Sequence, residues 1–405
     1  MSTSTSTSTS TSTSTSTSLQ SFEKTFNRPP EVLADAGGRV NLIGEHTDYH
    51  EGYVLPAAID LRTRVWGARR NDGILHIRSL RAEGEAQAEI RSLAPPGKGW
   101  QGYALGPIWA LREEGVHVPG ADILIDGNVP FGGGLSSSAS LQVALTGLVL
   151  ALAQEPDPAG ANALRRAPMD VARLARKAEN GFCGVPCGIM DQVASACGRA
   201  GHAILLDCRT LERIEVPVPA GWAIVVADSG VKHALGTSEY AKRQSECASG
   251  LEVLRQRHQG LGALRDVTLA MLEPWEGKMP DTVYRRLRHA VTENERVLQA
   301  RSALESANAD AIGKLLFASH ESLAKDYEVS CPELDLLVDV AAHVPGVIGA
   351  RLTGAGFGGN TVNLVQADRA ESAAAGIVDG YARRTGKRTN AVVVKPSPGL
   401  SVQWL

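Results

Sequence analysis

No hydrophobic run in this chain of 405 residues reaches the ~20 that a membrane-spanning helix needs. The most apolar stretch, LQVALTGLVLALA from Leu141 to Ala153, falls well short and reads as a core helix. Basic charge is not in excess either: 41 Lys plus Arg stand against 44 Asp plus Glu, with no dense basic cluster. The electrostatic footprint of a nucleic-acid binder is therefore missing, and a small-molecule partner is the expectation. Six cysteines (Cys183, Cys187, Cys197, Cys208, Cys247, Cys331) include no CxxC pair. That argues against a zinc site or a disulfide framework and for reduced thiols in a cytoplasmic protein. The N-terminus lacks the apolar core and basic residues of a secretory signal. Ser2 to Ser18 is an unbroken Ser/Thr alternation with nothing to bury against the cost of ordering, and it reads as a disordered tail.

What is present supports a large core. With 43% apolar residues, the length suggests two domains or one big one. Alternating, β-branched runs predict strands at YVLPAAIDLRTRVWGAR, ILHIRSL, ADILIDGNVP, HAILLDC and WAIVVAD. A helix is predicted over Met169 to Asn180, stopped by Gly181, and a short one over IMDQVASAC. Charged helical stretches follow, VTENERVLQARSALESA and IGKLLFASHESLAKDYE among them. No internal repeat is visible. A division near Leu211 would give a tail (1–18), an N-terminal domain (19–211) and a C-terminal domain (212–405).

Chemistry concentrates in a few stretches. GRVNLIGEHTDY starts as a core-bound strand and then places Glu45, His46 and Asp48 within four positions. PFGGGLSSSAS follows a strand and opens the apolar helix. Its glycines let backbone approach a bulky anion, and the helix start adds positive dipole, so it reads as a phosphate cradle. A Walker A loop is excluded because the GK[ST] ending is absent. The plain structural alternative is a glycine turn with a serine N-cap. A nucleotide phosphate would bring Mg²⁺, for which a loop hydroxyl and a carboxylate are natural ligands. In GVPCGIMDQ, Asp191 near a helix start is either a fixed functional carboxylate or a simple complement to the dipole, and the spacing leaves both open. LTGAGFGGN spells G-x-G-x-x-G at Gly354, Gly356 and Gly359, yet a strand, NTVNLV, follows where a dinucleotide fingerprint needs a helix. Glycines linking two strands over a ligand fit better.

Taken together, these stretches resemble the galactokinase family of GHMP sugar and metabolite kinases. GRVNLIGEHTDYHEGYVLPAAID resembles its signature, GNVPFGGGLSSSAS its ATP loop and LTGAGFGGNTVNLV its third motif. CGIMDQ, LLDCRTLE, SEYAKRQSEC, VTENER and DYEVSCPELDLLV also match, and the likeness runs from about Phe22 to the C-terminus. It implies an α+β fold of two domains, an N-terminal one with a mixed sheet and a C-terminal one with an antiparallel sheet and helices, and an active site in the cleft between them. It implies ATP-dependent phosphorylation of galactose at the C1 hydroxyl, the first step of the Leloir pathway, with Mg²⁺ as cofactor. Galactose and ATP are then the partners, and a monomer is compatible with that.

Residue by residue, the resemblance gives Asp191 and Arg39 catalytic roles. Glu45, His46, Thr47, Asp48, Gly188 and Tyr240 become sugar-binding, with Asp191. Gly132, Gly133, Gly134, Leu135, Ser136, Ser137 and Ser138 become nucleotide-binding, with Ser79 and Trp100. Ser138 and Glu179 become the metal ligands. Three positions depart from the family: Gly37 replaces proline, Gly102 asparagine and Asn360 cysteine. Asn360 is expected near the active site, where a change could alter sugar preference. Relatives acting on N-acetylgalactosamine, galacturonate or arabinose stay as alternatives, although the intact GEHTD favours galactose. A catalytically silent galactose and ATP sensor is a further alternative, against which the complete Ser136–Ser140 run argues.

Overall fold

The computed structural model describes residues 8–95, 97, 99–154, 164, 166–231 and 236–405. Thirteen strands are described: β1 Val32–Asn41, β2 Tyr53–Val54, β3 Pro56–Arg70, β4 Ile74–Ser79, β5 Glu85–Glu89, β6 Gly120–Gly127, β7 His202–Asp207, β8 Arg213–Pro217, β9 Trp222–Asp228, β10 Val347–Thr353, β11 Asn360–Gln366, β12 Ala391–Val394 and β13 Ser401–Trp404. The helices are α1 Ser8–Phe26, α2 Trp100–Glu113, α3 Ser137–Leu152, α4 Pro168–Gly181, α5 Met190–Cys197, α6 Gly236–Arg255, α7 Leu269–Leu272, α8 Asp281–Glu305, α9 Ala309–Lys325, α10 Pro332–Ala342 and α11 Ala370–Thr385.

Two larger sheets carry the architecture. One is mixed, in the order β13-β1-β3-β6-β4-β5, with β4 and β6 parallel. The other is antiparallel, in the order β10-β11-β9-β12, backed by α9, α10 and α11. A three-stranded antiparallel sheet, β2-β7-β8, lies beside them. This is the expected pairing of a mixed-sheet half with an antiparallel half. Helix α3 is apolar nearly all round and is buried against β1, β3, α2, α4 and α5, as such a helix must be.

Strand β1 is what joins the halves. Its start, Val32 to Ala36, packs in the first core, while Val40, Leu42 and Ile43 beyond it pack with Val297, Ile312 and Leu316 of α8 and α9. A bulge between Gly37 and Arg39 lies between those stretches and re-aims the strand. Arg39 is thereby placed at the junction.

Three expectations change. The Ser/Thr repeat, expected to be disordered, is helical from Ser8 onward as the leading part of α1, while residues 1–7 lie outside the described residues. The far end of α1 buries Phe22 against Leu33, Trp66 and Leu124, and Ser18 Oγ donates to Asp126 Oδ2 at 2.7 Å. Extending a helix already anchored there needs no new nucleus. The division placed near Leu211 falls inside the β7–β8 hairpin, where antiparallel pairing runs across it. Finally, β13 returns to pair with β1, so the last residues belong to the mixed sheet and not to the C-terminal half. A four-residue strand whose partner is distant in sequence carries little local signal.

Candidate active site

The glycine loop connects β6 to α3. Gly132 and Gly134 take φ 72° and 71°, and Ser136, next to the helix, takes φ 55°. Two of its carbonyls point back at β1: Leu135 O accepts from Arg39 N–H at 3.1 Å and Gly134 O from Arg39 Nη1 at 2.6 Å. The loop is thus fixed from behind, with the start of a 16-residue helix behind its serines. Gly133 takes a further bond, from Asn360 Nδ2.

Arg39 also grips Asp191, in the first turn of α5. Nε donates to Oδ1 at 2.8 Å and Nη2 to Oδ2 at 2.9 Å, and the Ser136 hydroxyl donates to Oδ2 as well. A two-pronged guanidinium contact fixes both distance and plane. Arg39 is buried, whereas the Asp191 side chain keeps 30% exposure. That exposure is toward a cavity of about 370 Å³, which Arg39, Glu45, His46 and Asp48 also line.

The acidic row after β1 is spread around that cavity. Glu45 Oε1 accepts from Gly354 N–H at 2.7 Å and Thr353 Oγ1 at 3.1 Å, and Arg351 Nη2 lies 3.2 Å away. Asp48 is pushed up to about 7 by burial, with Asp191 and Glu45 adding to it. Gly188 is needed for space: a Cβ there would stand 1.7 Å from Asp48 Oδ2. Tyr240, of α6, closes another side, its ring 5.5 Å from that of His46.

His46 takes φ 62°, backbone strain of the kind that clusters at functional sites. Burial, then His289, holds its imidazole well below the usual range, so it is neutral. Nε2 faces Ala355 O at 3.2 Å, which can only accept, so the proton sits on Nε2 and Nδ1 accepts from Tyr49 OH at 2.8 Å. The Tyr49 oxygen in turn lies 2.9 Å from Tyr327 OH. Thr47 stands apart from the rest. It is fully buried, and its hydroxyl bonds to Gly44 O and Tyr53 O, so it shapes the turn without lining the cavity.

Glu179 of α4 and Ser138 of α3 meet beside Asp191. Glu179 is buried, accepts from Gln192 Nε2 at 2.7 Å and from the Ser138 hydroxyl, and is pushed up to about 7 by burial and then by Asp191. Among the described residues it has no ion pair with a basic side chain. A buried carboxylate and a hydroxyl, short of positive charge, suit a hard divalent cation.

Ser79 and Trp100 lie outside the cavity. Ser79 ends β4, and Trp100 begins α2 with Nε1 donating to Glu83 O at 3.0 Å. Close to Ser79, on the far side of the glycine loop, Arg81, Ile125, Phe131 and Ser137 form a narrow cleft, and Phe131 there is 59% exposed. Asn360 does not line the sugar-sized cavity. It bonds instead to the glycine loop at Gly133, so it meets the site at that loop and not at the cavity wall.

Several contributors carry no role in the sequence reading, although Cys187 and Glu293 lie in the matched stretches CGIMDQ and VTENER. Tyr103 and Cys187 line the cavity. Arg351 and Glu293 hold the acidic turn from behind: Arg351 Nη1 donates to Asn41 O and Leu42 O, and Gly44 N–H donates to Glu293 Oε1. The only sequence signal for Glu293 is the VTENER stretch, a predicted helix and a family match that carries no role.

The galactokinase galactose-binding signature matches residues 20–69, the GHMP kinases N terminal domain residues 102–199 and the GHMP kinases C terminal domain residues 300–382. The galactokinase of Chloroflexus aurantiacus is 43% identical over 382 residues, covering 94% of this chain and 96% of its own. That of Homo sapiens is 41% identical, covering 89% and 91%. The crystal structure of Lactococcus lactis galactokinase complexed with galactose superposes with a TM-score of 0.87 at 34% identity, covering 96% of this chain and 99% of that one. Mevalonate kinase of Methanococcus jannaschii shares the fold, with a TM-score of 0.64 at 17% identity. Sequence likeness over nearly the whole chain and one shared fold place the chain in the galactokinase family of ATP-using GHMP kinases.

Proposed function

We propose that this chain transfers the terminal phosphoryl group of ATP to the anomeric C1 hydroxyl of galactose, giving galactose 1-phosphate and ADP. The observation that carries the proposal is Asp191, locked by Arg39 at the edge of a sugar-sized cavity, with the glycine loop held by the same arginine. One side chain thereby registers acceptor and donor sites against each other, and positioning supplies much of the barrier reduction in phosphoryl transfer.

Asp191 accepts the hydrogen bond of the reacting hydroxyl. In a loose transition state that proton leaves late, so a strong base is not required. Glu45 and Asp48 take other sugar hydroxyls, and a sugar of the wrong configuration leaves these groups unmet, which is costly. The glycine-loop N–H groups and the start of α3 face phosphate, and Arg39 disperses charge between the sites. Ser138 and Glu179 would hold Mg²⁺, which supplies charge neutralisation on the phosphates when bound. The narrow cleft near Ser79 is assigned to the nucleotide base. Six free thiols suit a reducing cytoplasm, where we place the enzyme.

The test is sugar-dependent ADP release with Mg·ATP across galactose, glucose, N-acetylgalactosamine, galacturonate and arabinose, with Asp191→Asn as control. Turnover on galactose that the control lacks supports the reading. Turnover on another sugar alone reassigns the substrate, and none on any sugar removes the kinase.

A further inference from the structure

The turn that carries Glu45 has its backbone held by side chains from far along the chain. Arg351 of β10 donates from Nη1 to Asn41 O at 2.8 Å and to Leu42 O at 3.0 Å. Glu293 of α8 accepts from Gly44 N–H at 2.9 Å, and His289 of the same helix reaches Glu45 O at 3.1 Å. All three side chains are fully buried. Arg351 does more than hold backbone. Its Nη2 stands 3.2 Å from Glu45 Oε1 without forming a hydrogen bond, and Arg351 Nε also lacks a hydrogen-bond partner.

That arrangement treats the two Glu45 oxygens unequally. Oε1 is occupied by Gly354 N–H, Thr353 Oγ1 and the Arg351 cation. Among the described residues nothing donates to Oε2, and Glu45 lines the cavity. A carboxylate whose one oxygen is saturated by protein presents the other to a ligand as an acceptor in a fixed direction. A buried cation on the saturated side also keeps a buried carboxylate from standing uncompensated.

We infer that Arg351 is a positioning residue for sugar recognition, acting through Glu45: it orients the carboxylate so that a single oxygen accepts from one galactose hydroxyl. This rests on the galactose reading above. The nucleotide side has no such link, because the contacts of Arg351 run to the Asn41–Glu45 segment and not to the glycine loop.

The test is a double-mutant cycle on binding, read by calorimetry with galactose and separately with ATP, on the full chain. Arg351→Met should weaken galactose binding at least about tenfold and change ATP binding by less than about twofold. Glu45→Gln should do the same, and the double variant should lose far less than the product of the two. Arg351→Lys, which keeps the charge but not the fork, should recover part of the loss. If Arg351→Met does not fold, Arg351→Lys with and without Glu45→Gln completes the same cycle. Losses that multiply, or equal losses for both ligands, overturn the inference. Whether the wild-type protein then releases ADP decides the kinase reading separately.

Discussion

The Asp48 carboxylate lies directly against the α-carbon of Gly188: a Cβ built at Gly188 would meet Oδ2 at 1.7 Å and the carboxyl carbon at 2.3 Å. Gly188 does not have a positive φ, so alanine can adopt its backbone without strain. The conflict is with Asp48 alone. Gly188→Ala should therefore fold with a melting temperature near wild type and bind galactose about tenfold or more weakly. Unchanged galactose affinity in calorimetry would show that Asp48 does not need its present position.

Asp191→Asn keeps the volume at the centre of the site and removes an acceptor. Its kcat should fall by about 10²–10⁴-fold, the range for loss of a positioned proton acceptor. Galactose binding should be largely kept, because Glu45 and Asp48 remain. Single-turnover kinetics and equilibrium binding on one preparation separate these effects, and a near-normal kcat would refute the role.

Stability should carry the mark of the buried carboxyl at Asp48. Its folded value of about 7 stands above the ordinary 3.8. A raised carboxyl favours folding while protonated, so this stability is complete below 3.8 and is lost as pH climbs through about 7. Buried His50 and His289, lowered to about 3 and about 4, act in the opposite sense as pH falls below the usual imidazole value. Comparison with Asp48→Asn isolates the carboxyl. The melting temperature of the variant minus that of wild type should rise between about pH 5 and about pH 8. A flat difference would mean that Asp48 ionises without cost.

Asn360 joins the third glycine motif to the glycine loop before α3 through Gly133 O. Asn360→Ala should raise the KM for ATP by about threefold to tenfold, the loss of one buried hydrogen bond, and leave the galactose KM within about twofold. A selective change in the galactose KM would instead place the effect of Asn360 on the sugar side.

The parts whose physics is local are legible in the residues alone. Three glycines before a serine run and an apolar stretch dictate a strand, loop and helix with exposed N–H groups. A strand followed by GEHTD puts acids and a histidine in the turn beyond its tip, and GAGFGG followed by NTVNLV makes a hairpin and not a nucleotide-binding helix. The family pattern added which of these groups meet. The rest depends on long-range packing, because partners hundreds of residues apart leave no periodicity to read. Arg39 and Asp191 are 152 positions apart, and Thr353 and Glu45 are 308 apart. Packing brings Arg351 under Glu45, ties Asn360 to the glycine loop and returns β13 to β1. In each case a buried polar group had to find a partner, and the fold, not the neighbouring sequence, supplied it.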